Sequence, residues 1–342
     1  MMSELRAKLY NLERQYINTI ITDGVESDAI KTDISSILMQ ACPTFIKNAT
    51  DTNHYYMRYI HKINLSSEFL RKYLNGINVA ELHNIVTENE VSEAVSYVEQ
   101  LLDIDLSHIS VLKLDKQVRA NAEGFCVTCN NDEHFIFYQP DENGVISTDL
   151  IVHELGHAAE SSISRSQNND ALLIPHSAIS EAVAYYCQFK YLLEYGTSMQ
   201  RAGSIGAFLF TYLAIITCRI CIKNETSLNN IDVHTIINSD ECRQFIDSYN
   251  YDETKLVENK INILKGLYPD LMSLTHNEIS PRLGVVLAIF LLDKPLSFIK
   301  EIIKKNAIQN DIDIFFKEII PEGDLSIKNL EIHFENYFCH RG

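Results

Sequence analysis

The chain has 342 residues, with 29 basic and 46 acidic side chains and a formal net charge of −17. Its composition, with 46% hydrophobic and 22% charged residues, is globular and excludes a disordered or low-complexity protein. The acidic balance argues against binding of a phosphate backbone through clustered Lys and Arg, so we expect no nucleic acid and no anionic membrane surface as a partner.

The N-terminus and the cysteines give an expectation about the compartment. Residues 1–16 are charged and lack the apolar run of a secretory signal, and eight cysteines in so long a chain do not form a dense disulfide framework. The uncharged run from Ala202 to Cys218 contains small and hydroxyl residues, which favours a buried helix over a membrane span. We expect a cytoplasmic protein without a transmembrane segment.

Helical periodicity dominates the chain and is interrupted once. It runs through a predicted N-terminal helical region, 1–110. Three short stretches rich in Val, Ile, Phe and Tyr then predict strands, two of them in a hairpin: Ile109–Leu114, Gly124–Cys129 and Glu133–Tyr138. Further helices are predicted at about 148–164, 178–194, 203–222 and 282–292.

These elements predict a mainly α fold with one small antiparallel β-sheet. The sheet and the later helices form a predicted catalytic region, 111–320, and a polar C-terminal tail, 321–342, follows it. No Pro-, Gly- or Ser-rich linker separates the N-terminal region from the catalytic region, so one continuous domain is an alternative to separate ones.

The helix predicted from residue 148 contains an HExxH motif, His153-Glu154-Leu155-Gly156-His157. A spacing of four residues places both imidazoles on one helix face, where they can reach one metal ion. Glu154 lies about 100° further round the helix, close enough to act on a metal-bound water without ligating the metal. Gly156 leaves room for a strand or a substrate to approach.

A catalytic zinc site needs a third protein ligand, and the sequence offers three candidates. Glu181 is near the start of the next predicted helix, and two crossing helices supply tetrahedral geometry. His176 is an alternative in a turn that contains Pro175, and Glu160 is an alternative on the motif helix itself. We predict that His153, His157 and Glu181 bind one Zn²⁺ ion.

Residues 118–190 resemble the M3 metallopeptidases, the thimet oligopeptidase and oligoendopeptidase F group. The resemblance is carried by the HExGH form of the motif, by the 24-residue step from His157 to Glu181, and by the preceding segments Glu123–Cys126 and His134–Gln139. It implies a mostly helical zincin-like metallopeptidase with one zinc ion. It also implies hydrolysis of peptide bonds in a peptide or protein substrate, with Glu154 as general base on a zinc-bound water.

The sequence departs from the family pattern at two places. Gln188 stands seven residues after Glu181, where the family has an acidic residue. Near the C-terminus His276 is present ahead of an apolar helix, but the tyrosines that accompany it in the family are absent. We predict that His276 stabilises the oxyanion. The departures leave open an alternative function, a zincin-fold protein-binding module with weakened catalysis.

The last predicted strand suggests how a substrate binds. The stretch Glu133–Tyr138 alternates, with Phe135 and Phe137 on one face and His134, Ile136 and Tyr138 on the other. Because it comes shortly before the metal-binding helix, we predict an edge strand to which an extended peptide adds through main-chain hydrogen bonds. The alternative is an interior strand with both edges paired, which could not accept a peptide.

Overall fold

The computed structural model describes residues 4–74, 86–119, 122–139, 146–248, 253–321 and 327–339. Within these ranges the protein is mainly helical, with one small three-stranded mixed sheet. The helices are α1 Glu4–Asp23, α2 Asp28–Ala41, α3 Phe45–Tyr59, α4 Ser67–Leu74, α5 Glu88–Leu102, α6 Thr148–Arg165, α7 Ser177–Tyr195, α8 Ser198–Ser204, α9 Gly206–Lys223, α10 Val233–Ile237, α11 Asp240–Ile246, α12 Thr254–Leu267, α13 Leu271–Leu274, α14 Ser280–Leu291, α15 Leu296–Lys305, α16 Ile312–Ile319 and α17 Ile327–Phe338. The strands are β1 Ser110–Lys113, β2 Gly124–Val127 and β3 Phe135–Tyr138.

The helices follow the sequence prediction closely where they carry the predicted site. The motif helix α6 begins directly after Ser147 and ends at Arg165, and α7 exceeds its predicted bounds by one residue at each end. The predicted apolar helix is divided, because the short α8 precedes α9. Helix α9 is buried in the core. Among the described residues, none of the helices is long and apolar enough to cross a membrane.

The sheet is mixed, so the prediction of an antiparallel sheet is wrong. Strands β2 and β3 form the expected antiparallel hairpin. Strand β1 pairs with β3 in parallel, with Ser110 opposite Phe135, and the strand order is β1-β3-β2. Strands β1 and β2 therefore lie on opposite sides of β3 and do not pair with each other.

This order makes β3 the interior strand, so the predicted edge strand at Glu133–Tyr138 is wrong. Both sides of β3 are paired, which leaves no main-chain groups for a peptide. The predicted alternation is confirmed, because Ile136 belongs to the main core and Phe137 to a second apolar cluster. In the described part of the chain, β2 has a strand partner on one side only.

Helix α1 covers the outer face of the sheet and is bound to the end of α6. Its apolar face contributes Tyr16, Ile17 and Ile20 to the second cluster. Arg165, the last residue of α6, pairs with Glu13 of α1 at 2.8 Å between Nη2 and Oε1, and both side chains are buried. The first helix of the chain therefore packs directly on the element that carries the HExxH motif.

Two glycines allow α7 to lie unusually close to its neighbours α6 and α14. A Cβ atom at Gly156 would be 2.7 Å from Ala184 Cα, and one at Gly284 would be 2.5 Å from Glu181 Cβ. Real Cβ atoms do not approach other atoms so closely. Gly156 therefore accommodates α7, rather than the strand or substrate that the sequence suggested.

Candidate metal centre

Three side chains from α6 and α7 converge on one point. His153 Nε2 is 3.5 Å from Glu181 Oε2, and His157 Nε2 is 3.7 Å from Glu181 Oε1. One ligand atom from each residue lies within 4.8 Å of the others. Two ligands at about 2.0–2.1 Å from a tetrahedral zinc ion are about 3.3 Å apart, so the donors are close to the spacing that this ion requires.

Glu181 is ionised at neutral pH, as a carboxylate ligand of a metal ion must be. Burial acts to raise the pKa of Glu181, but the charge of His157 and the hydrogen bond from His153 outweigh it and hold that pKa at about 2. Burial lowers the pKa of His157. The side chains of His157 and Glu181 are 20% and 22% exposed to solvent, so solvent can reach the group.

Glu154 lies beside this group without joining it. It is buried, next to β2, where a Cβ atom at Gly124 would be 3.4 Å from Glu154 Cγ. Burial is the largest influence on its carboxyl group and raises its pKa to about 7, while the backbone of Cys126 in β2 acts in the opposite direction through a hydrogen bond. The motif thus presents two imidazoles to one point and a carboxyl group to the neighbouring strand.

No family model, no curated protein and no solved structure matches the chain. The chemistry of the site therefore has to be inferred from its own residues.

The other two candidate ligands lie elsewhere. His176 is fully buried, its Nε2 is 2.9 Å from the carbonyl oxygen of Asn310, and its ring packs against Phe315. Glu160 is also buried, and its carboxylate accepts a hydrogen bond from Asn306 Nδ2 at 3.2 Å. Of the three candidates, Glu181 is the one that the fold brings to the two motif histidines.

His276, the predicted oxyanion residue, is not brought to the group. It lies on a π-helical turn, Thr275–Ile279, directly before α14, and its side chain is exposed. Among the described residues, His276 does not belong to the group of possible metal ligands that His153, His157 and Glu181 form. Its role as an oxyanion donor stays a prediction.

Gln188 contacts the motif helix one turn before the first histidine. Its Nε2 donates a hydrogen bond to Asp149 at 2.7 Å, and Asp149 precedes His153 by four residues. Gln188 Oε1 and His153 Nδ1 are both buried, and neither has a hydrogen-bond partner among the described residues. A metal-bound histidine usually donates its second ring N–H to an acceptor, and among the described residues His153 Nδ1 has none.

Sequence reasoning missed two residues beside the group, Tyr185 and Arg282. The ring of Tyr185 packs edge-on against His153, with 4.5 Å between the ring centroids. Arg282 of α14 donates a hydrogen bond from Nη1 to the Tyr185 hydroxyl at 2.9 Å. A signal was present, because Tyr185 follows Glu181 by four residues and so lies on the same face of α7.

The close approach of α14 to α7 at Gly284 should determine the position of Glu181. In Gly284→Ala the added methyl group would overlap the α7 backbone at Glu181 and Ala182, so α7 has to shift. We expect the free energy of unfolding to fall by about 1–3 kcal/mol and zinc affinity to fall with it. Urea denaturation and a zinc titration measure both.

The matched control for this substitution is Gly266→Ala on α12. A Cβ atom at Gly266 would have nothing within 4 Å. Because alanine favours a helix over glycine by up to about 1 kcal/mol, this variant should be at least as stable as the parent and bind zinc normally. Equal behaviour of the two variants would show that the approach at Gly284 does not constrain Glu181.

Proposed function

We propose that the protein is a zinc-dependent metallopeptidase of zincin-like fold that hydrolyses peptide bonds in a peptide or protein substrate. One observation carries the proposal: the Nε2 atoms of His153 and His157 and the carboxylate of Glu181 converge at near-tetrahedral spacing, with Glu154 beside them but outside the group. Three protein ligands with an open position are typical of catalytic rather than structural zinc. The resemblance to M3 metallopeptidases in the motif region supports the same reaction.

His153, His157 and Glu181 would hold the ion, and the two nitrogen donors and one carboxylate are ligands that suit zinc. When bound, zinc supplies Lewis-acid chemistry, lowering the pKa of water to about 7 and polarising a carbonyl group. Glu154 takes the proton from the attacking water and later gives it to the departing amine. Its burial, which raises its pKa to about 7, suits a group that must both accept and donate a proton.

Strand β2 is the element that would hold an extended substrate. Its partner β3 occupies one side, and Glu154 lies against β2 at Gly124 and Cys126. A peptide that pairs with the other side of β2 would run past Glu154, with its main chain rather than its side chains bound to the protein. Such pairing confers little sequence selectivity, so selectivity would come from neighbouring side chains.

Metal removal tests the proposal. The purified protein should contain one zinc ion per chain, measured by elemental analysis, and should cleave members of a mixed peptide library, measured by mass spectrometry. A chelator should abolish cleavage and added zinc should restore it, because the Lewis acid is lost and regained. Dialysis against buffer without chelator is the control.

Two results would contradict the proposal in different ways. If the protein binds no zinc at micromolar concentration, the metal site is wrong. If it binds one zinc ion but leaves every peptide intact, the zincin-fold binding module becomes the better description, and affinity for uncleaved peptides should then be measured.

A further inference from the structure

Tyr185 occupies a position from which it can reach a substrate at the metal group. It lies one helical turn after Glu181 on α7 and packs edge-on against His153. Its hydroxyl lies within electrostatic reach of Glu181 and of Glu154. The phenol therefore lies near both the metal ligands and the general base, whereas His276 is exposed on a separate turn.

The hydrogen bond from Arg282 determines what the Tyr185 hydroxyl can do. A guanidinium group can only donate, so in the 2.9 Å contact the Tyr185 oxygen accepts. The hydrogen of that hydroxyl is then left to donate elsewhere, and within the described residues no acceptor for it is found.

Arg282 belongs to α14, the helix that packs closely against α7 at Glu181. It lies on α14 two residues before Gly284, where α14 and α7 are in contact. Its side chain is half-buried, and its charge acts on Glu181 and on Tyr185. A nearby positive charge increases the strength of the hydrogen bond that the phenol can donate, because it stabilises electron density on the phenol oxygen.

We propose that Tyr185, held by Arg282, donates a hydrogen bond to the carbonyl oxygen of the scissile peptide bond as negative charge develops there. The inference rests on the proposed peptidase function and assigns the oxyanion donor that the sequence could not locate. Tyr185 is the catalytic residue in this assignment, and Arg282 is a positioning residue that acts through it. A preorganised hydrogen-bond donor at the position where negative charge develops stabilises the transition state more than the ground state.

Tyr185→Phe tests this role, since it removes the hydroxyl and keeps the ring that packs on His153. Loss of one oxyanion donor typically lowers kcat by about 10²–10³-fold, and we expect that loss with KM and zinc content near parental values. Affinity for a phosphinic peptide, whose tetrahedral anion resembles the transition state, should fall by a comparable factor in calorimetry. Affinity for a product peptide should not change.

The matched control is Tyr186→Phe, the next residue on α7. Tyr186 is also buried, but it follows Glu181 by five residues and so lies on a different face of the helix. This variant should keep parental kcat and phosphinic-peptide affinity. In Arg282→Met the decrease in kcat should be nearly as large as in Tyr185→Phe. In Arg282→Lys, which retains a hydrogen-bond donor, the decrease should be smaller.

The outcomes separate this inference from the proposed function. Parental kcat and phosphinic-peptide affinity in Tyr185→Phe would overturn the inference, while zinc-dependent turnover that needs Glu154 would leave the peptidase function standing. If Arg282→Met instead raises KM only for peptides with a free C-terminal carboxylate, Arg282 binds that carboxylate and its positioning role is wrong. Absence of zinc-dependent turnover in the parent would overturn both.

Discussion

Glu154→Gln should retain zinc, and its kcat should fall by about 10²–10⁴-fold, because a general base usually contributes a factor of that size. The amide keeps the shape of the carboxyl group beside β2 and cannot accept the proton of the attacking water. Because Glu154 is not part of the metal-binding group, zinc content and thermal stability should stay near parental values. Steady-state kinetics on a cleaved library peptide, with elemental analysis, measures the effect.

The chain offers a close control for this substitution in Glu160→Gln. Glu160 lies on the same helix, is also buried, and has a pKa that burial raises to about 7. It hydrogen-bonds to Asn306 instead of facing the metal group, so its amide variant should keep parental turnover. Parental activity in Glu154→Gln would mean that another group accepts the proton.

Glu181→Gln should weaken zinc binding strongly while leaving the fold intact. Changes to groups that only orient a ligand typically cost 10–100-fold in metal affinity, so replacing a ligand that binds the ion directly should cost about 100-fold or more. The carboxylate lies 3.5 and 3.7 Å from the two imidazole nitrogens, and the neutral amide is a poor ligand at that place. Competition with a zinc indicator gives the affinity.

Glu160→Gln also serves as the control for zinc binding, because it makes the same chemical change at an alternative ligand candidate of the motif helix. Its zinc affinity should equal that of the parent. Should Glu181→Gln retain full affinity, the assignment of the third ligand would be wrong. His176, which is held by Asn310 and Phe315, would then have to move for the site to form.

The group of His153, His157 and Glu181 could be predicted from the sequence because local rules determine most of its geometry. Helical spacing alone places His153 and His157 on one face, and the next helix, α7, brings Glu181 within reach of both. The bounds of α6 and α7 followed from helical periodicity. The hairpin of β2 and β3 could also be predicted from a local pattern, because the turn at Asn130 lies between two short apolar runs.

The errors concern contacts between distant segments. The parallel pairing of β1 with β3 joins Ser110 to Phe135, and no local pattern specifies a pairing between such distant residues. Gly156 was interpreted without knowledge that α7 lies against it. Tyr185 was overlooked because tyrosines were sought only near His276, while the partner that orients Tyr185 comes from α14, 97 residues away.

The buried ion pair between Arg165 and Glu13 limits how the chain can be divided experimentally. A fragment that starts after α1 would lose Glu13, whose carboxylate pairs with the Arg165 guanidinium in the intact protein. It would also uncover Phe125, Val127 and Phe137 to solvent. Expression of a minimal catalytic fragment should therefore retain the first helix, even though that helix is more than a hundred residues from the HExxH motif in sequence.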